Sequence, residues 1–140
     1  MNWKRLILAI LASFVTMFVL DFVFHGILLK NLYQQSAALW RPMDQMMRLN
    51  WLMWLLYLVV SCVMTLIYSK GYELGKSGLG QGFRFGILFG LLMATSMSFG
   101  SYFMMPMPKR LALYWLVGGM IIYTIIGMVI GLIYKPESVS

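Results

Sequence analysis

Residues 6–29 read LILAILASFVTMFVLDFVFHGILL, an apolar run interrupted only by Asp21 and His25. A helix crossing a bilayer needs about 20 mostly apolar residues, because the hydrocarbon core is about 30 Å thick and each residue rises 1.5 Å. Three further stretches meet that requirement, at residues 51–69, 83–102 and 111–134. Lipid offers no partner to a free backbone N–H or C=O, so spanning segments must be helices or closed barrel strands. No stretch shows the two-residue alternation of a barrel strand. The expected fold is therefore all-α: an integral membrane antiparallel four-helix bundle, one domain over residues 1–140.

Composition agrees. Hydrophobic residues make up 61% of the chain and charged ones 11%, against about 45–50% and 25% in soluble domains. That balance excludes a disordered chain, a soluble basic nucleic-acid module and a disulfide-stapled fold. Cys62, the lone cysteine, cannot form an internal bridge. Lys4 and Arg5 before the first run suggest a signal peptide, but the run continues far past Ala9, Ala12 and Ser13. A cleavable apolar region is about 7–15 residues long, so the segment reads as a retained span.

Aromatic residues anchor span ends at the headgroups. Trp3, Tyr68, Tyr72 and Tyr134 mark one set of ends, and Trp40, Trp51, Tyr102, Tyr114 and Trp115 the other. The side holding both termini carries Lys4, Arg5, Lys70, Lys76, Arg84 and Lys135; the opposite side carries Lys30, Arg41, Arg48, Lys109 and Arg110. This small excess orients the termini toward the cytoplasm of a cell inner membrane. The net charge of +7 is then matched by anionic headgroups rather than by nucleic acid.

The longest connection is Asn31–Asn50. Residues 31–40 are expected to form a short interfacial helix holding Leu32, Tyr33, Leu39 and Trp40 at headgroup level. Pro42 suits a first helical turn, and Asp44 its positive end. The second helix should therefore start near Pro42, with Asp44 and Arg48 paired on its wet face. In the next loop, Gly71–Ser77 reads G-Y-E-L-G-K-S, one residue short of a nucleotide-binding loop and without the strand such a loop requires. Gly71, Gly75, Gly78 and Gly80 are expected to form a flexible turn there, with Lys70 and Lys76 at lipid phosphates.

Small residues recur every four positions along the third span: Gly82, Gly86, Gly90, Ala94 and Ser98. Close backbone approach through such stripes supplies the contact that joins helices in lipid. The fourth span has Gly119, Gly127 and Gly131, the second Tyr57, Ser61, Thr65 and Ser69, and the first Ala9, Ser13, Asp21 and His25. One small or polar face per helix is what a compact bundle needs. The alternative use of the third stripe is a homo-oligomer or another membrane-protein partner.

A carboxylate inside the bilayer costs about 2.5–3.5 kcal/mol and usually faces the bundle interior. Asp21 is the one acidic residue within a span, and His25, the only histidine, follows one helical turn later. Three roles fit the pair. Asp21 locks helix packing as a protonated group bonded to Ser or Thr hydroxyls, it serves proton-coupled transport, or His25 joins a soft-metal site. At the level of architecture, one membrane carboxylate in a small four-span chain resembles the small multidrug resistance transporters. The chain departs from them in having Asp rather than Glu and in its long 31–50 loop. For a metal, Met104, Met105 and Met107 form M-M-P-M-P on the side that holds His25, and thioether with imidazole suits Cu(I). Fourteen methionines also serve as adaptable packing. No nucleophile with its base, no HExxH and no second intramembrane acid is present, so neither an enzyme nor a resident cofactor is expected.

Several stretches carry a wider resemblance: FHGILLK with LWRP downstream between Phe24 and Pro42, KGYE at Lys70–Glu73, GFRFGILFG at Gly82–Gly90, and PMP followed by LALYWLVGG and a glycine-spaced end in LIY. Over most of its length the chain resembles small, uncharacterised bacterial four-span membrane proteins of the domain-of-unknown-function type. The resemblance implies the fold and an inner-membrane, multi-pass location, and it transfers no site. The FHGxxxK piece is also similar to DoxX-type four-span proteins, whose glutamate- and glycine-rich second span is missing here. The expected role is non-enzymatic, an accessory or scaffold in the membrane. The competing expectation is a small proton- or Cu(I)-linked transporter centred on Asp21 and His25.

Overall fold

In the computed structural model, which describes residues 2–136, the described chain consists of helices and short turns, with no strand. Helix α1 (Trp3–Asp21) starts where the Asn2 side chain accepts from the Arg5 backbone N–H at 3.1 Å. That cap brings Trp3, Lys4 and Arg5 into the helix, ahead of the apolar run. After Asp21 the helix widens into a π-helix over Phe22–Leu28, closed by Leu29 N–H donating to the Phe24 carbonyl at 3.0 Å.

The connection differs from the expected single interfacial helix. Helix α2 (Lys30–Gln35) and a 3₁₀ turn (Ala37–Leu39) are separated at Ser36. The Ser36 hydroxyl donates to the Leu32 carbonyl at 2.8 Å and accepts from Trp40 Nε1 at 3.2 Å. Serine competes in this way with the helical backbone. Helix α3 (Met43–Arg48) follows Pro42, and a break at Leu49 separates it from α4 (Asn50–Lys70). The second long helix therefore does not run unbroken from Pro42. Nor do Asp44 and Arg48 form an ion pair, consistent with the small gain available to exposed charges.

Helix α5 (Gly78–Met104) begins five residues before the expected span. Ser77 caps it, its hydroxyl accepting from the Gly80 N–H at 3.4 Å. Gly78 and Gly80 thus belong to the helix and not to the turn, which is confined to residues 71–77. Only Gly75 there has a positive φ, 78°. The buried Gln81 side chain fastens this turn, accepting from Glu73 N–H at 2.8 Å and donating to the Glu73 and Lys76 carbonyls at 3.0 and 3.2 Å. Lys76 bonds to Glu73 within the turn, with Arg84 3.6 Å from the same carboxylate. The Lys76 hydrogen bond holds the Glu73 carboxyl below the usual range. Helix α6 (Lys109–Ile133) follows Pro108.

Helices α5 and α6 make the tightest contact. Gly78 lies on Gly131, Gly82 on Gly127, Gly86 on Thr124 and Gly90 on Met120, so residue numbers fall along one helix as they rise along the other. A Cβ on Gly86 would stand 2.7 Å from both the Thr124 Cα and the Tyr123 carbonyl oxygen. Further along, Ala94 faces Gly119, and the Ser98 hydroxyl donates to the Ala112 carbonyl at 2.5 Å. The small-residue stripes of both helices are occupied within the chain.

Helix α1 packs against both α4 and α6, burying Leu6, Ala9, Ser13 and Met17 in a core that includes Val60, Met64, Ile122 and Ile126. The Phe24 ring occupies the space that any side chain at Gly118 would need, seating the π-helix on α6. Helices α4 and α5 meet near their connecting turn, where the Tyr68 hydroxyl donates to the Gly78 carbonyl at 3.1 Å and its ring packs edge-on to Phe85. They do not pack along their length. Large apolar side chains, among them Leu11, Val15, Leu88, Leu92, Leu113 and Ile121, point outward from the helices. Four helical stretches, Trp3–Leu28, Asn50–Lys70, Gly78–Met104 and Lys109–Ile133, are long and apolar enough to cross a membrane.

Candidate functional site

Asp21 is the last residue before the π-helix, and the widened turns begin where its carboxylate needs partners. Its Oδ2 accepts a hydrogen bond from the Tyr57 hydroxyl of α4. Its Oδ1 lies 3.5 Å from His25 Nε2. π-Helical turns of this kind cluster at functional sites because they re-aim side chains within an otherwise regular helix. Aromatic packing fixes the α1–α4 contact beside the carboxylate. Phe18 stacks on Trp54 with centroids 4.7 Å apart and meets Tyr57 edge-on at 6.4 Å.

The second nitrogen of His25, Nδ1, bonds to the Tyr33 hydroxyl of α2, which accepts from Trp115 Nε1 of α6 at 2.7 Å. Burial pushes the Tyr33 hydroxyl up to about 12, against the opposing Trp115 hydrogen bond. With the neutral Tyr33 hydroxyl donating, Nδ1 accepts and the ring proton of neutral His25 lies on Nε2, toward Asp21. In that tautomer the groups form one directed series. Trp115 donates to Tyr33, Tyr33 to His25, and His25 points its N–H at Asp21, which Tyr57 holds from the other side.

This series runs between two spaces. A cavity of about 300 Å³ is bordered by Asp21, His25, Tyr57, Trp115 and Tyr123, with Met17, Met53, Met93 and Met97 among its apolar walls. It lies between α4 and α5, where those helices stand apart. Beyond His25 and Trp115, a groove of about 810 Å³ runs under α2 and the start of α3. The Asp21 and His25 side chains keep 24% and 32% of their surface exposed, so the carboxylate is not sealed in a dry contact, and both also border a cleft of about 230 Å³ beside Phe18, Phe22 and Trp54.

No serine or threonine hydroxyl bonds to Asp21: the Ser61 hydroxyl is buried without a partner among the described residues, and others are engaged elsewhere. Ser13 and Thr16 donate to the Ile10 and Ala12 carbonyls, and Thr65 to that of Ser61, all within their own helices. Such back-bonding satisfies a hydroxyl locally. The M-M-P-M-P residues do not gather around His25. Met104 is 78% exposed, Met105 partly buried, and Met107 packs at 4% exposure with Leu29, Leu111 and Ala112. None of the three borders the two spaces described above. Among the described residues no three His, Cys, Asp or Glu side chains are placed to hold a metal.

Sequence reading missed Tyr33, Trp115 and Tyr123 as site residues, and placed Tyr57 only in a packing stripe. A signal was present. Tyr57 and Tyr123 sit in mid-span, away from the ends where tyrosine anchors at headgroups, and a buried phenol needs a hydrogen-bond partner. Comparisons with models of protein families, with curated proteins and with solved structures find no match. The resemblance to small four-span families gains no support there, and the site rests on its own geometry.

Proposed function

We propose that the protein is a multi-pass membrane protein, an antiparallel four-helix bundle, that carries small cationic solutes in exchange for protons. In this reading Asp21 is the group that holds either the proton or the solute, and no bond of the solute is broken. The outward apolar faces support the membrane setting, because soluble proteins rarely expose contiguous apolar patches beyond a few hundred Å². An inner membrane with cytoplasmic termini fits the small lysine and arginine excess on that side.

The observation that carries the reading is the carboxylate between the cavity and the hydrogen-bonded series. In this reading Asp21 takes a proton from His25 Nε2 while Nδ1 takes one from Tyr33, whose oxygen regains a proton from water on the groove side. Loss of that proton leaves a carboxylate facing a cavity walled by Tyr57, Tyr123 and Trp115. Aromatic faces and a carboxylate together favour a cation with an apolar body. The gap between α4 and α5 gives such a solute a way in. Four methionines from three helices also border the cavity. A Cu(I)-linked alternative would draw on these rather than on Met104, Met105 and Met107. An accessory or scaffold role is the other alternative; the α5 stripe that would have served a homo-oligomer is taken up by α6.

A quaternary ammonium tests the reading because it carries no exchangeable proton. Benzyltrimethylammonium added to the purified chain should bind and release a proton to the buffer, read by calorimetry in two buffers of different ionisation enthalpy. Asp21→Asn should abolish binding and proton release together. Binding that survives Asp21→Asn, or that releases no proton, defeats the exchange reading.

A further inference from the structure

The larger groove has a chemistry separate from that of Asp21. Lys30, at the start of α2, and Arg41, ahead of α3, stand on its rim. Among the described residues neither has a carboxylate within ion-pair distance. Its apolar walls are Trp40, Met43, Met46 and Trp115. Both indoles are tethered by their N–H groups, Trp40 to Ser36 at 3.2 Å and Trp115 to Tyr33 at 2.7 Å. Their rings lie 6.1 Å apart. The apolar surface is thus pre-formed, while the two cations are free to meet a ligand. A volume of about 810 Å³ falls within the range of small-molecule pockets, about 300–1,000 Å³, enough for a headgroup and part of an acyl chain.

A soluble anion would use only the cations, and a neutral hydrocarbon only the walls. A molecule with an anionic head and an apolar tail uses both. The groove adjoins the end of the long apolar helix formed by residues 3–28, which in a bilayer is headgroup level. We propose that it seats an anionic phospholipid, with the phosphate between Lys30 and Arg41 and an acyl chain along Trp40, Met43 and Met46. The proposal rests on the membrane setting given under Proposed function and is independent of proton exchange at Asp21. A lipid there would press on the His25–Trp115 wall that the groove shares with the cavity.

Native mass spectrometry of the full-length, detergent-purified chain provides the test, with phosphatidylglycerol and phosphatidylcholine of matched acyl chains as probes. The expected preference for phosphatidylglycerol is about thirtyfold, from the roughly fivefold that each basic side chain at a bilayer surface contributes. Combined Lys30→Gln and Arg41→Gln should remove it. These side chains are exposed, so the fold should not depend on them. Lys109→Gln with Arg110→Gln removes the same charge elsewhere and should keep the preference, as should Asp21→Asn. Glycerol 3-phosphate at equal concentration should not displace the lipid. The proposal is overturned by equal retention of the two lipids, by loss of preference in the Lys109/Arg110 variant, or by displacement with glycerol 3-phosphate. Release of the chain from membranes by alkaline carbonate would instead defeat the membrane setting itself.

Discussion

At the scale of single residues, Asp21 shows how much one ionisable group can organise. Its nearest partners come from two elements, His25 within the π-helix and Tyr57 from α4. Removing the Tyr57 hydroxyl while keeping the ring should separate the hydrogen bond from the packing. Tyr57→Phe is expected to lower stability by about 1–3 kcal/mol, the cost of leaving a charged or polar partner under-satisfied. Thermal unfolding in detergent, followed by circular dichroism, measures this, and an unchanged midpoint would mean that the Tyr57 hydroxyl does not support Asp21. That Asp21 needs polar partners was legible from its position inside an apolar run. Its partners were not, because a hydroxyl 36 residues away reaches it only through the way α1 leans on α4, and no local spacing encodes that contact.

At the scale of elements, the α5–α6 pair and the π-helix behave differently under inspection of the sequence. A four-residue repeat of small side chains states both the helix and its contact face, and Gly82, Gly86 and Gly90 do lie against α6. Gly86→Leu should therefore disrupt the pair by more than the roughly 1–3 kcal/mol typical of overpacking, since the added atoms meet backbone rather than a movable side chain. Gly100→Leu, on the same helix with open space around it, should be tolerated. Equal melting temperatures for the two variants in detergent would refute the close contact. The breaks at Ser36 and Leu49 and the early start of α5 escaped sequence reading for local reasons. A serine that bonds back to Leu32 and a cap at Ser77 change helix boundaries without changing hydropathy. The widening after Asp21 has no hydropathy signature either, because its residues are as apolar as those before it.

At the scale of the whole molecule, the four long apolar helices were evident from composition and run length alone. What those signals could not convey is that α4 and α5, neighbours in sequence, stand apart along their length and leave the cavity between them. The packing of α1 against both α4 and α6 places Asp21 at that cavity's wall, and the connection carrying Tyr33 packs against His25. Solute exchange at Asp21 therefore depends on one property, that its carboxyl exchanges a proton with water while the protein is folded. Asp21 and Asp44 are the only aspartates in the chain, so carboxyl-labelled [¹³C]aspartate in lipid nanodiscs should give two signals, with Asp44→Asn identifying each. Followed by carbon NMR across pH, the Asp21 signal should move between its protonated and ionised positions. An Asp21 signal that stays in one form over the whole range in which the protein remains folded would contradict the account.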